Sequence, residues 1–588
     1  MTADRRTRPG EFPGRALFFA FLTVAAILFI SGIDRLVERQ FPDPDDVLRL
    51  VQVRDVFAGQ GWFDPTQYRI DPPHGTPMHW SRLVDAPILF VMVLLTPLVG
   101  QAMAETAALI IVPLVTFGLT AAILGRLAWR LLGTRAAIFA VLACGFLPPV
   151  LFQFRPMRID HHGWQIFSVT LALWAISWRD ARKGGWVAGL AMAFGLSISL
   201  EVLPMAGAFG GVLFLRWWQD AGRRDWLVAF MQALSGGLAF FYLATRGLSP
   251  IEYCDAISPA HIAFFLVAAL GTWLVAKAGS LRGLALVFLF ALVAAAGLGV
   301  FALMSPDCLA TPFARLDPAV DQFWYRRVLE GQPFWEQAAN YVIPMLIQFA
   351  AAIGATVVLR MRSHDWLRSW WTDYLLVLVA AFVLSLLVAR SAAIAAMIAT
   401  IPLGWLASSM LLGLRQAAST ARKLAIALAF LLLLAPYAPV TLYSMALPTE
   451  ENMAFRQANL GEAECRVREQ VPLLDAIPAT TIFTPLDIGP TVLLGSHHSV
   501  VATGHHRSEE AMADVINAFL WSPDEAEPIV KRHADYLALC ADLTETLLYE
   551  NGNPEGLGAL LKAGGHPDWL EPVDLGQSEQ FLLFRVTD

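Results

Sequence analysis

Charge is scarce in this sequence. Only 15% of its 588 residues are Asp, Glu, Lys or Arg and 56% are hydrophobic, whereas a soluble domain carries about 25% charged residues. That shortage excludes an ordinary soluble chain and points to a membrane one. A net charge of −7 leaves no basic excess for a nucleic-acid partner. Cysteine is scarce as well: Cys144, Cys254, Cys308, Cys465 and Cys540 are all there are. None forms a CxxC pair, which argues against a structural zinc site. No internal repeat or low-complexity tract is present. No small-residue cleavage site precedes Asp34, so the apolar run from Ala16 to Ile33 reads as an uncleaved first helix rather than a signal peptide. Arg5, Arg6, Arg8 and Arg15 before it place that end in the cytoplasm.

Apolar runs are what the chain has in plenty. Beyond the first, they fall near 104–125, 136–154, 164–178, 186–200, 203–217, 226–245, 262–277, 283–303, 339–360, 371–390, 392–412 and 424–444, giving about thirteen expected spans. An inside start puts six basic connectors in the cytoplasm: 126–135, 178–185, 216–224, 277–282, 360–368 and 415–423. That agreement with the positive-inside rule supports the count. The run Ala86–Val99 breaks the charge pattern if counted. With about 14 apolar residues it reads as an interfacial or re-entrant segment. Three stretches then face outward: 34–85, 305–337, and everything after about Leu447. The expected division is a transmembrane domain at 1–446 and a C-terminal mixed α/β domain at 447–588. Strand-like runs occur at Thr480–Phe483, Ser499–Ala502, Tyr536–Leu539 and Phe581–Val586, and helix-like runs at Glu509–Phe519 and Pro554–Lys562. Cys254 and Cys308 share the outer side, as do Cys465 and Cys540. Two disulfides or four unpaired thiols are both compatible with that placement.

Ionisable residues at the outer membrane boundary are the candidates for chemistry. Phe41-Pro42-Asp43-Pro44-Asp45-Asp46 offers carboxylates suited to Mg²⁺ or Mn²⁺. Alternatively, Asp45 and Asp46 stabilise the start of a helix over Val47–Ala58. Asp160-His161-His162 sets a carboxylate beside two imidazoles at a boundary where charge is costly, and metal binding by Asp160 and His162 is the favoured reading. Glu330 sits in Arg327-Val328-Leu329-Glu330-Gly331-Gln332-Pro333. Arg390 ends a helix on the outer side, where it either snorkels or holds a phosphate. Glu201, in a short turn, ranks low. His497-His498 and His505-His506, in a strand-like hairpin, read as structural.

Order and sidedness of these motifs resemble the catalytic subunit of oligosaccharyltransferases, of the GT-C glycosyltransferase superfamily. The resemblance implies thirteen helices, a long first outer loop and a soluble C-terminal domain. Asp45 matches the acidic motif of the first loop, with Arg54-Asp55-Val56-Phe57-Ala58-Gly59 similar to the helix after it. Asp160-His161-His162 looks like the archaeal Asp-x-His motif, and Ala86–Val99 occupies the place of the family's re-entrant-like stretch. Glu330-Gly331-Gln332-Pro333 is similar to the loop that closes over the substrates. Arg390 corresponds to a donor-phosphate contact. The likeness covers roughly residues 1–445.

One family motif is missing. The soluble domain has no Trp-Trp-Asp; Pro485-Leu486-Asp487-Ile488-Gly489 keeps only the Asp and Gly. Trp370-Trp371-Thr372-Asp373 imitates it at a cytoplasmic helix end and reads as an aromatic interface belt. The implied function is a metal-dependent, inverting glycosyltransferase of the bacterial inner membrane. Its N-terminus is cytoplasmic and its C-terminal domain periplasmic. It uses a polyprenyl-(di)phosphate donor and an acceptor other than a protein sequon, be it glycan, lipid or protein. Asp45, Asp160 and His162 would hold Mg²⁺ or Mn²⁺. Asp45, Asp46 and Glu330 would be catalytic, and Arg390 would bind the phosphate. A flippase for lipid-linked saccharides or a non-catalytic envelope-polysaccharide subunit are the alternatives.

Overall fold

The computed structural model describes residues 11–248, 253–279, 281–310, 313, 316–438 and 465–587. Arg5, Arg6 and Arg8, the end of the last expected span and the start of the C-terminal region lie outside the described residues. The chain divides into two compact units that interleave along the sequence. One takes in Met1–Gln40, Trp80–Pro312 and Leu329–Leu442; the other takes in Phe41–His79, Phe313–Val328 and Tyr443–Asp588. The sequence assigns the outer loops 34–85 and 305–337 to the transmembrane domain. In the structure the central part of the first and the middle of the second group with the C-terminal residues.

The first unit is helical. Among the described residues nine helices are long and apolar enough to cross a membrane, so the chain is a multi-pass membrane protein. A tenth is reached if Thr134–Phe146 and Pro148–Phe154, bent by 79°, form one span. The bend falls where Leu147 turns extended ahead of Pro148 and Pro149, because the residue before a proline avoids helical dihedrals. Other expected spans are shorter. Gly14–Ile30 has 17 residues, and His162–Ala175 has 14, about 21 Å at 1.5 Å per residue. The segment read as interfacial is longer than expected: Arg82–Val99 is an 18-residue helix that qualifies as a span by length and composition. Its charged first turn is no obstacle, since Arg82 and Asp85 pair at 3.1 Å and both are buried.

Helix ends in this unit sort by charge. At one end Arg216 pairs with Asp373 at 2.8 Å, Arg130 reaches Ser177 and Arg360 donates to Thr372. At the other ends of these same helices stand His162, Glu201 and Arg390. Basic connectors and the candidate site therefore occupy opposite ends, as the positive-inside reading requires. Trp370 and Trp371 correct the expectation of an interface belt: both are fully buried, in the same helical core as Tyr374. Hydropathy cannot tell a lipid neighbour from a protein one, and these two rings face protein. A disulfide joins Cys254 to Cys308; Cys144 is a buried free thiol.

The second unit is the α/β one. Its five-stranded sheet runs Ser499–Val500, Thr481–Phe483, Tyr536–Cys540, Phe581–Val586, Leu570–Pro572, with the first two pairings parallel and the last two antiparallel. The fifth strand had no clear signal, because its Glu571 and Pro572 are exposed and only Leu570 is buried. Helices Glu509–Leu520 and Leu557–Lys562 match the expected ones. Cys465 and Cys540 are bridged. The first outer loop is built onto this sheet. Val500 donates to the Arg69 carbonyl at 2.9 Å and accepts from Asp71 at 3.0 Å. The Arg69 guanidinium donates to the carbonyls of Leu493, Ser496 and His498. The carbonyls of Leu493 and Ser496 lie at the end of the helix Gly489–Gly495, where backbone acceptors are orphaned and a cation complements the helix dipole.

Two carboxylates in this unit are coupled. Glu545 accepts N–H groups from Leu486 (2.7 Å) and Asp487 (2.8 Å) and the Tyr549 hydroxyl (2.5 Å). Burial, together with the Asp487 charge, pushes Glu545 up to about 8. The folded state therefore binds more protons than the unfolded chain above the ordinary Glu range, and stability falls as pH rises toward 8. Hydrogen exchange of the Tyr536–Cys540 strand should quicken over that window beyond its intrinsic rate rise. Asp487→Asn should flatten the trend; an unchanged slope in that variant removes the coupling.

Candidate active site

The site is assembled at three helix breaks of the first unit. The first follows the bent pair. Met157 takes a left-handed backbone (φ 69°) and donates to the Leu109 carbonyl at 2.8 Å, which turns the chain into Asp160. The helix His162–Ala175 starts immediately after. Asp160 is buried, and its carboxylate lies 3.3 Å from His162 Nε2 and 3.6 Å from the Arg158 guanidinium; its other oxygen meets His161 Nδ1 and accepts the His161 N–H at 2.6 Å. Burial alone would raise the Asp160 carboxyl, but the two imidazoles and Arg158 hold it well below the usual carboxylate range.

The second break is the turn Leu200–Val202, opened by Ser199, whose hydroxyl accepts from the Glu201 N–H. Gly195 lets the helix Ala181–Ile198 close up on His162–Ala175. A Cβ there would sit 2.5 Å from Ser168 Oγ. That approach brings Glu201 to within 3.0 Å of the Gln165 side-chain amide and 3.7 Å of His161 Nε2. The third is Ala389–Ser391, between the helices Asp365–Leu387 and Ala392–Gln416. Here Arg390 forms ion pairs with Glu201 and, at 3.4 Å, with Glu330. The Glu330 loop is held by an Ala389 N–H to the Gln332 carbonyl at 3.0 Å.

Of the sequence-predicted residues, Asp160, His162, Glu330 and Arg390 are thus neighbours within one unit. Asp45 and Asp46 belong to the other. There the helix is Pro44–Phe57, and its N-cap is Asp43, whose carboxylate accepts the Asp45 N–H at 3.0 Å. Asp45 and Asp46 both fall in the first turn of that helix, where their charge complements its dipole; Asp45 is half-buried and Asp46 fully buried. Sequence reasoning ranked Glu201 low and overlooked Gln165; both stand inside the cluster. A carboxylate at a membrane boundary is costly enough to signal a partner, and that signal was available for Glu201.

The donor set suits a divalent cation. One ligand atom each from Asp160, His161 and His162 lies within 4.8 Å of the others. His162 is oriented by Gln165, whose side chain meets Nδ1 at 3.0 Å. A Nδ1–H donated to the amide oxygen leaves Nε2 as the lone pair beside Asp160, the arrangement that outer partners impose on metal-ligating histidines. His498 of the second unit differs. His498 has both ring nitrogens engaged, with the Thr480 N–H and the Leu474 carbonyl, so no lone pair is spare. It follows a helix into a parallel strand rather than lying in a hairpin.

The chain thus carries a polytopic helical unit with this polar end and an α/β unit. Among solved structures the chain is similar to the archaeal oligosaccharyltransferase AglB of Archaeoglobus fulgidus in complex with an inhibitory peptide and a dolichol-phosphate. The TM-score is 0.64 at 16% identity, over 96% of this chain and 73% of that one. The oligosaccharyltransferase of the same organism tethered to an acceptor peptide containing the NVT sequon gives 0.63 at 14% identity, over 98% and 74%. Its complex with Zn and sulfate gives 0.59 at 13%, over 97% and 73%. The likeness is one of fold. No protein-family model matches the chain, and no curated protein matches it in sequence.

Proposed function

We propose that the chain is a membrane glycosyltransferase. It moves a sugar or oligosaccharide from a polyprenyl phosphate or diphosphate to an acceptor on the periplasmic side of a bacterial inner membrane. The observation that carries the reading is the convergence of Asp160, His161, His162, Glu201, Glu330 and Arg390, from four separate stretches of sequence, at the end of the helical unit opposite its basic connectors. AglB bound to a dolichol-phosphate, in the same fold, supports a lipid-linked donor.

Asp160 and His162, with His161 beside them, would hold a Mg²⁺ or Mn²⁺ ion. When bound, the ion supplies Lewis-acid stabilisation of a departing phosphate. The mixed oxygen and nitrogen donor set favours Mn²⁺ over Mg²⁺. Asp45 remains in the proposal on the sequence resemblance, as a further oxygen ligand and as the acid that orients the acceptor. Its partial exposure supports it over the buried Asp46 in that second role.

Arg390 takes the phosphate oxygens with its planar, always charged guanidinium. To do so it exchanges one of its carboxylate partners for phosphate. Glu330 is the one on a loop, so it is the group released toward the acceptor. The acceptor attacks the anomeric carbon from the face away from the phosphate, and the sugar is inverted. The test is release of a labelled sugar from a polyprenyl-linked donor by the purified chain in detergent, with and without Mn²⁺. Cation-dependent cleavage or transfer is expected. Movement of the donor across a vesicle with the sugar bond intact would replace this reading by a flippase.

A further inference from the structure

Glu201 touches both halves of this cluster: besides its approach to His161 Nε2 at 3.7 Å, each of its oxygens has a closer partner. One oxygen, Oε2, accepts from the Gln165 amide nitrogen at 3.0 Å; the other, Oε1, pairs with Arg390. Gln165 in turn meets His162 Nδ1 with its amide oxygen. A continuous chain of contacts therefore runs from the imidazole beside Asp160, through Gln165 and Glu201, to the Arg390 guanidinium.

We propose that Glu201 is a positioning residue that couples the cation-holding imidazole to the phosphate-holding arginine. The inference rests on the functional reading above and adds the link between its two halves. The chemistry of the link requires a carboxylate. An ionised carboxylate only accepts hydrogen bonds, so it satisfies an amide N–H₂ and a guanidinium together. It binds both more strongly than a neutral acceptor because the bond to Arg390 is charge-assisted. Gln165 is 3% exposed, so its amide cannot turn to water for the partner it would lose. If it flips, its oxygen leaves His162, and the tautomer with Nε2 unprotonated is no longer enforced.

Substitutions separate the two arms. Glu201→Ala removes both of these contacts and the longer one to His161. Glu201→Gln keeps an oxygen for Gln165 and puts an N–H₂ group against Arg390. Gln165→Leu cuts only the imidazole arm. The full-length protein in detergent is titrated with Mn²⁺, following free Mn²⁺ by electron paramagnetic resonance. Separately it is titrated with a polyprenyl phosphate, following the melting temperature.

Loss of an outer partner of a ligating histidine weakens metal binding by roughly 10–100-fold. That loss is expected for Glu201→Ala and Gln165→Leu, and not for Glu201→Gln. Polyprenyl phosphate binding should weaken by about tenfold or more in Glu201→Ala and Glu201→Gln, and stay within about twofold of wild type in Gln165→Leu, as expected for one charge-assisted contact. A merely structural role would not sort the variants this way. Wild-type affinity for both ligands in Glu201→Ala, or loss of only one of them, overturns the coupling while leaving the functional reading intact. If the wild-type chain binds neither ligand, the functional reading falls and the coupling falls with it. Should Glu201→Ala fail to fold, the opposite responses of Glu201→Gln and Gln165→Leu decide the matter on their own.

Discussion

Asp160→Asn should lower sugar transfer by about a thousandfold or more, with the protein still folded, because the departing phosphate loses preorganised charge stabilisation in a site shielded from water. The substitution nearly preserves volume, and Asn still accepts the His161 N–H that Asp160 accepts at 2.6 Å. What changes is charge. The carboxylate faces two imidazoles and Arg158, so its removal leaves the Arg158 charge unopposed and weakens any cation bound beside the imidazoles. Three measurements together make the test: initial rates across a Mn²⁺ series, the melting temperature, and Mn²⁺ binding without substrate. Saturating Mn²⁺ should not restore the rate. A variant with an unaltered rate and unaltered Mn²⁺ affinity would remove Asp160 from the cation site. A variant that melts far below wild type would assign the residue to holding the turn at Met157, and Asp160→Glu would then be the variant to assay.

Much of this site was legible because membrane proteins pay heavily for charge at a bilayer boundary. Asp160, His162 and Arg390 stood out as ionisable groups at the ends of apolar runs, and counting Lys and Arg placed them on one side. The α/β strands were visible where apolar residues cluster, as in Tyr536–Cys540, and invisible where one buried Leu570 does the pairing. Asp43 as the cap was readable too: an acid immediately before a proline at the first helical position is an N-terminal signature. It was masked by the two acids that follow.

Other features could not be read from one sequence. Nothing in Leu200-Glu201-Val202 announces that Gly195 lets two helices close up until Glu201 meets Gln165. That is a property of packing between helices. The grouping of Phe41–His79 with the C-terminal residues is likewise set by pairing at long range, Arg69 with the carbonyls of Leu493, Ser496 and His498. The buried Trp370 and Trp371 show the same limit in a membrane protein, where core and lipid-facing surface share one composition.

Arg390→Ala should reduce transfer by roughly a hundredfold to a thousandfold, the range seen when one preorganised donor to developing negative charge is lost. The structure makes the effect more specific than loss of a cation. Arg390 lies between Glu201 and Glu330. Without it two carboxylates face the incoming phosphate, and repulsion joins the lost attraction. Donor affinity should therefore fall along with turnover. Arg390→Lys keeps the charge but offers a point ammonium in place of a planar fork. It should recover donor binding more than turnover, because holding Glu201 and two phosphate oxygens together needs directed donors. Glu330→Gln supplies the control. It removes the loop carboxylate that phosphate displaces from Arg390, so it should tighten polyprenyl phosphate binding while slowing transfer to the acceptor. Rates at varied donor concentration, with donor binding measured separately, resolve these outcomes. If Arg390→Ala binds polyprenyl phosphate as tightly as wild type, the arginine serves only to neutralise Glu201 and Glu330, and the phosphate must be held elsewhere.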